Sequence, residues 1–193
     1  VEDAFGRECV GVRPGCGFSN AMRGATEELQ HMASAGFGYV SSQLWGADYS
    51  LPAPIDPPST YAADGFPDLW ELPGHGWHEN ILKNATKVAS RRMTLWPPER
   101  PAAIPDAYVE TPQEEFAVNR VFLNAAADEG APFASLIWHP WSLHRFDPDM
   151  AMLDLTFQYV RSQGLQPCTY DDLYRRVSEG AETEGWSGKP DDM

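Results

Sequence analysis

Apolar residues along this chain fall into two recurring patterns. One is a short, nearly continuous run of strand formers bounded by glycine, proline or serine. It occurs at residues 9–12, 37–42, 69–73 and 132–139, with a briefer run at 165–168. The other is a longer stretch whose apolar residues recur at helical spacing. Residues 20–35 form the first of these, with Asn20 as cap, Leu29 and Met32 on one face, and Gly36 as stop. The clearest start signal is Thr111, Pro112, Gln113 and Glu114: a threonine N-cap, a proline at the first helical position, and a glutamate that completes a capping box. That helix carries Phe116, Val118, Val121, Phe122 and Ala125 and stops at Gly130. Another opens at Asp147 and Pro148, runs through Met152, Leu155, Phe157, Tyr159 and Val160, and ends at Gly164. Thr169 caps a last helix that reaches Val177.

Strands alternating with helices predict an α/β fold with a parallel sheet. Long loops follow the strands, where such folds place their catalytic face. The proline-rich stretch 46–67 reads as a surface excursion, and residues 79–95 as helical in part. Residues 1–179 make one domain, followed by a polar tail at 180–193.

Composition narrows the partners. The 193 residues carry 28 acidic against 14 basic side chains, a formal net charge of −14. Nucleic acid or an anionic membrane would want a basic face, so both are disfavoured. Cys9, Cys16 and Cys168 form no CxxC pair, which argues for reduced thiols and against a cysteine-based zinc site. No run is long and apolar enough to span a bilayer. The chain opens at Val1 with no signal peptide in view, and the compartment stays open.

The run at 132–139 ends on a histidine, and Pro140 pushes His139 toward an extended backbone. A strand that delivers one ionisable side chain at its carboxyl tip, with a helix to follow, is how α/β sheets and barrels build active sites. The plainer reading is a buried structural histidine. The run at 69–73 likewise ends in a polar tip with His75 and His78, which read either as a metal pair or as ordinary loop histidines. Thr169, Tyr170, Asp171 and Asp172 read as a helix cap rather than as an acidic catalytic motif.

Several segments together resemble the polysaccharide deacetylase family, the NodB-homology domain. Leu136, Ile137, Trp138 and His139 match its last motif, a strand reading Leu-x-x-His. Arg13, Pro14 and Gly15, with the stretch at 36–42 downstream, match its arginine–proline motif, although the family usually spaces the two residues by one. A looser motif falls at residues 69–78, and the closing helix, Gly164, strand and Thr169-capped helix fit as well. The resemblance implies a partial distorted (β/α) barrel of the polysaccharide deacetylase type, lacking the first strands. Relatives carry an upstream Thr-Phe-Asp-Asp strand and a His-x-x-x-His motif that supply the catalytic base and the Asp-His-His metal site. Neither precedes Arg13 here, so the resemblance implies the C-terminal part of a longer enzyme. Its divalent metal, expected to be zinc, would be held by ligands outside this chain.

The implied function is removal of acetyl groups from an N- or O-acetylated polysaccharide by metal-assisted hydrolysis. In that reading His139 is the general acid that protonates the leaving group, and Arg13 holds the catalytic aspartate ionised. Leu136 and Trp77 line the pocket for the acetyl methyl, with core packing as their plainer role. Glu71, with Glu79 next in line, tunes the histidine. Trp141, together with Trp138 and Trp45, offers stacking faces to sugar rings. The partners implied are an acetylated glycan, no nucleic acid, no membrane-spanning segment, and self-association through an exposed sheet edge. Two rival functions remain on the same fold: a non-catalytic glycan-binding or interaction module, and a hydrolase of small cyclic amides.

Overall fold

The computed structural model describes residues 6–15, 17–44, 55–77, 109 and 111–180. Strand β1 (Gly11–Val12) pairs in parallel with β2 (Tyr39–Val40), and β2 pairs in parallel with β4 (Phe66–Glu71). Strand β3 (Ser59–Tyr61) adds to β4 in the antiparallel sense, which gives the order β1-β2-β4-β3. Beyond β4, the pair β5 (Gly76–Trp77) and β6 (Leu136–Ile137) forms a second, parallel ladder. The helices are α1 (Thr26–Ser34), α2 (Pro112–Asp128), α3 (Pro140–Phe146), α4 (Ala151–Ser162) and α5 (Tyr170–Ser178). The fold is thus a mixed α/β structure with a small, partly parallel sheet; its described strands do not close into a barrel. No helix among the described residues is long and apolar enough to cross a membrane.

Successive residues of a strand point to opposite faces, so Tyr39 and Val40 enter different cores. Val40 joins Leu29 of α1, Tyr61 and Leu69 on one side. Tyr39 joins Leu72 and Leu173 of α5 on the other. The Tyr39 ring covers Gly11, where any side chain would collide with it. Its hydroxyl donates to the Asp171 carboxylate at 2.8 Å, which ties α5 to the sheet. Burial first, and then this carboxylate, push the Tyr39 phenol well above its ordinary pKa. Helices α2 and α4 pack on each other, with Phe116 and Tyr159 meeting edge to face.

Local signals set several boundaries as expected. Thr111 and Thr169 both make complete capping boxes, with Glu114 and Asp172 as their reciprocal partners. Elsewhere tertiary contacts decide. Helix α1 starts at Thr26 rather than Asn20 because the preceding backbone is committed to the β3 region. The Met22 N–H donates to the Tyr61 hydroxyl, the Gly24 N–H donates to Asp64, and Ala21 is left-handed at φ 50°. Within the stretch expected to be surface loop, Ser59 and Thr60 pair with Glu71 and Trp70 as strand. The run at 132–139 is laddered only at Leu136–Ile137, and residues 165–168 have no strand partner and form no strand. Pro140 opens α3, a short helix of about two turns where the sequence pattern predicts none. Asp147 then accepts the Met152 N–H at 2.8 Å and sets the start of α4. The helix expected at 79–95, together with Trp45, His78 and Glu79, lies outside the described residues.

Candidate functional site

Because β1, β2 and β4 run in the same direction, their exits meet at one edge of the sheet, the usual location of ligands in open α/β folds. Arg13 follows β1, Ser42 and Gln43 follow β2, and Gly74 and His75 follow β4.

The β4 exit begins with a buried carboxylate. Glu71 is 1% exposed and accepts four hydrogen bonds. The donors are Ser42 N at 2.8 Å, Ser42 Oγ at 2.7 Å, Gln43 N at 2.8 Å and the Tyr61 hydroxyl at 2.5 Å. These fill the acceptor positions of an ionised carboxylate, the condition for burying one. Glu71 therefore clasps the exit of β2 against β4 and β3, and its bonds go to that clasp rather than to His139. Burial and then the neighbouring Glu71 charge raise the Tyr61 phenol well above its ordinary pKa.

Arg13 lies at the outer rim. Its exposed guanidinium sits 5.0 Å from the centroid of the Tyr170 ring, a cation–π contact. It also packs on Gly74. A Cβ there would stand 3.3 Å from Arg13 Nη1, 2.7 Å from Leu44 and 2.8 Å from Ile137. The absent side chain at Gly74 is what lets Arg13 and the end of β6 come together. Among the described residues Arg13 has no carboxylate partner.

His139 follows β6 by two residues. It is half-buried and extended, at φ −97° and ψ 126°, and serves as N-cap residue of α3. Its ring lies 6.1 Å from that of Trp141, which is 53% exposed. Leu136 is half-buried and pairs with Gly76, while the Trp77 backbone pairs with Ile137; the Trp77 side chain lies outside the described residues. The edge thus brings Arg13 beside Ile137, on the strand that leads to His139, with Leu136 on the opposite face of that strand, and it keeps Glu71 apart in its clasp.

Three residues that sequence reasoning did not place at the site sit behind this edge. His75 is 1% exposed, with Phe133 at 4.9 Å ring to ring. Its Nδ1 accepts the Ser135 N–H at 3.1 Å, and its own N–H donates to the Ser135 carbonyl at 3.1 Å. Since Nδ1 is an acceptor, the ring proton belongs on Nε2, which has no hydrogen-bond partner among the described residues. Burial lowers the His75 pKa to about 4, against a weaker opposing pull from Asp56. The third residue is Tyr170, whose hydroxyl donates to the Pro73 carbonyl at 3.2 Å and accepts from Ser135 Oγ at 2.6 Å. His75 was visible in the sequence as a polar tip. Tyr170 was visible only as part of a cap.

A metal at His75 would need the Nε2 lone pair, and that would cost the Ser135 bond to Nδ1. Among the described residues no three His, Cys, Asp or Glu side chains gather closely enough to hold a metal ion. The described side chains alone therefore do not make up an Asp-His-His site. Comparison of the chain with protein-family models, curated proteins and solved structures finds no match in any of the three.

Proposed function

We propose that this chain contributes one wall of a hydrolase that removes acetyl groups from an N- or O-acetylated polysaccharide, in the distorted (β/α) barrel arrangement of the deacetylases. The observation that carries the reading is the convergence of Arg13 and the end of β6 on Gly74, at the carboxyl edge of parallel strands. His139 protonates the departing amine or alkoxide, for which a histidine at a strand tip is suited. Arg13 presents a fixed positive charge to a carboxylate across the cleft. Leu136 and Trp77 bound the acetyl methyl. The divalent metal belongs to ligands other than the described residues. Glu71 supports the wall as a structural clasp.

Acetate release from N-acetylated and O-acetylated oligosaccharides, measured on the protein with zinc supplied, tests the reading. His139→Ala lowers turnover by ~10²–10⁴-fold with metal content unchanged, the span of general acid–base catalysis. Turnover within a few-fold of wild type would remove His139 from the role. The exposed Trp141 beside His139 favours a second reading, a glycan-binding module without catalysis. In that case Trp141→Ala abolishes oligosaccharide binding, and the wild-type protein releases no acetate.

A further inference from the structure

Ladder β5–β6 is only two residues long on each strand. Side chains alternate along a strand, so a slip of one residue would put Trp138 where His139 now stands. So short a ladder specifies its own register weakly. The residue just before it is held differently. Ser135 uses its N–H on His75 Nδ1, its carbonyl on the His75 N–H and its hydroxyl on Tyr170. Its chain neighbours are Ala134 and Leu136, and neither has a hydroxyl, so any one-residue slip forfeits the Tyr170 bond. Tyr170 is itself fixed by Pro73 below and by the capping box at Thr169 and Asp172. The face of the same ring lies under the Arg13 guanidinium.

We propose that His75, Ser135 and Tyr170 form a register lock, and that Tyr170 is a positioning residue for both Arg13 and His139. The lock fixes which side chain reaches the tip of β6, and the ring sets the plane of the guanidinium opposite. One aromatic side chain thereby holds two groups whose spacing the reaction needs. This rests on the deacetylase reading for its purpose, but not for its geometry.

Nuclear magnetic resonance on the full chain tests it. Tyr170→Phe keeps the ring and removes the hydroxyl. The upfield ring-current shift of the Arg13 Nε–H persists, while the Ser135 amide and the His139 ring resonances move. Exchange of the Ser135 amide rises about fivefold, the change expected for one lost hydrogen bond. Tyr170→Leu abolishes the Arg13 shift as well. In both variants the Leu29 and Met22 amides, in the core on the other face of the sheet, stay where they are in the wild type. Ser135→Ala reproduces the Tyr170→Phe pattern without touching the ring, and serves if Tyr170→Phe does not fold. Wild-type Ser135 and His139 signals in a folded variant overturn the lock. Equal movement at Leu29 and Met22 also overturns it, because the tyrosine is then a general core contact. Unfolding of both hydroxyl variants overturns it too, since the lock holds one strand and not the whole fold. None of these signals depends on turnover, so an inactive wild-type protein would sink the deacetylase reading alone.

Discussion

Glu71 and His75 leave the same strand four residues apart, and each is 1% exposed, yet their burial is solved in opposite ways. Glu71 is enclosed with four donors around its two carboxylate oxygens. His75 has one donor at Nδ1 and only a weak pull from Asp56 to set against its burial, and it gives up its charge. The difference teaches what a buried ionisable group requires. With a full set of partners it becomes a fixed strut; with a partial set it stays neutral and remains sensitive to acid.

The largest effect should come from breaking the strut. Glu71→Leu leaves two backbone N–H groups and two hydroxyls without their acceptor, and should cost about 3–5 kcal/mol in denaturant unfolding. A loss near 1 kcal/mol would mean that water or a neighbour replaces the carboxylate, and the contrast with His75 would vanish. Acid titration sharpens the other half. The folded His75 holds its proton less tightly than an unfolded histidine, about 4 against 6.5. Its contribution is therefore complete above pH 6.5 and is lost as pH falls through that value toward 4. The loss amounts to about 3 kcal/mol. His75→Gln keeps an acceptor for Ser135 but cannot titrate, so the stability of the two proteins should converge as pH falls across this window. Parallel curves would show that His75 is protonated in the fold at no cost. The smallest effect is a single strand of the clasp: Ser42→Ala removes one of the four donors to Glu71 and should cost about 1 kcal/mol. A cost as large as that of Glu71→Leu would show that the network fails as a unit rather than bond by bond.

What could be read in advance follows the range of the forces involved. Thr111 with Glu114, and Thr169 with Asp172, close their caps within three residues, and both were legible. Arg13 and His139 were legible as side chains at the ends of apolar runs, and both are at the carboxyl edge. The partnerships behind that edge were not. Tyr170 reaches Ser135 over 35 positions and Pro73 over 97, and no local pattern encodes such meetings. Strand β3 was missed for the same reason, because Ser59 and Thr60 are strand only by virtue of Glu71 and Trp70. Glu71 was read as the acid that tunes His139, on the strength of the resemblance and its place at the end of an apolar run. Its place was decided by Ser42, Gln43 and Tyr61, which lie in two other parts of the chain's path.

The tyrosine that covers Gly11 has a consequence for how the two faces of the sheet can be watched. Tyr39 reports on the side packed by α5 and Tyr61 on the side packed by α1, and each resists losing its phenolic proton. In strong alkali these two rings should stay dark in the phenolate absorption band after surface tyrosines have turned. If they then light up together, the two cores open as one cooperative body; if one precedes the other, the sheet is a seam along which the molecule comes apart.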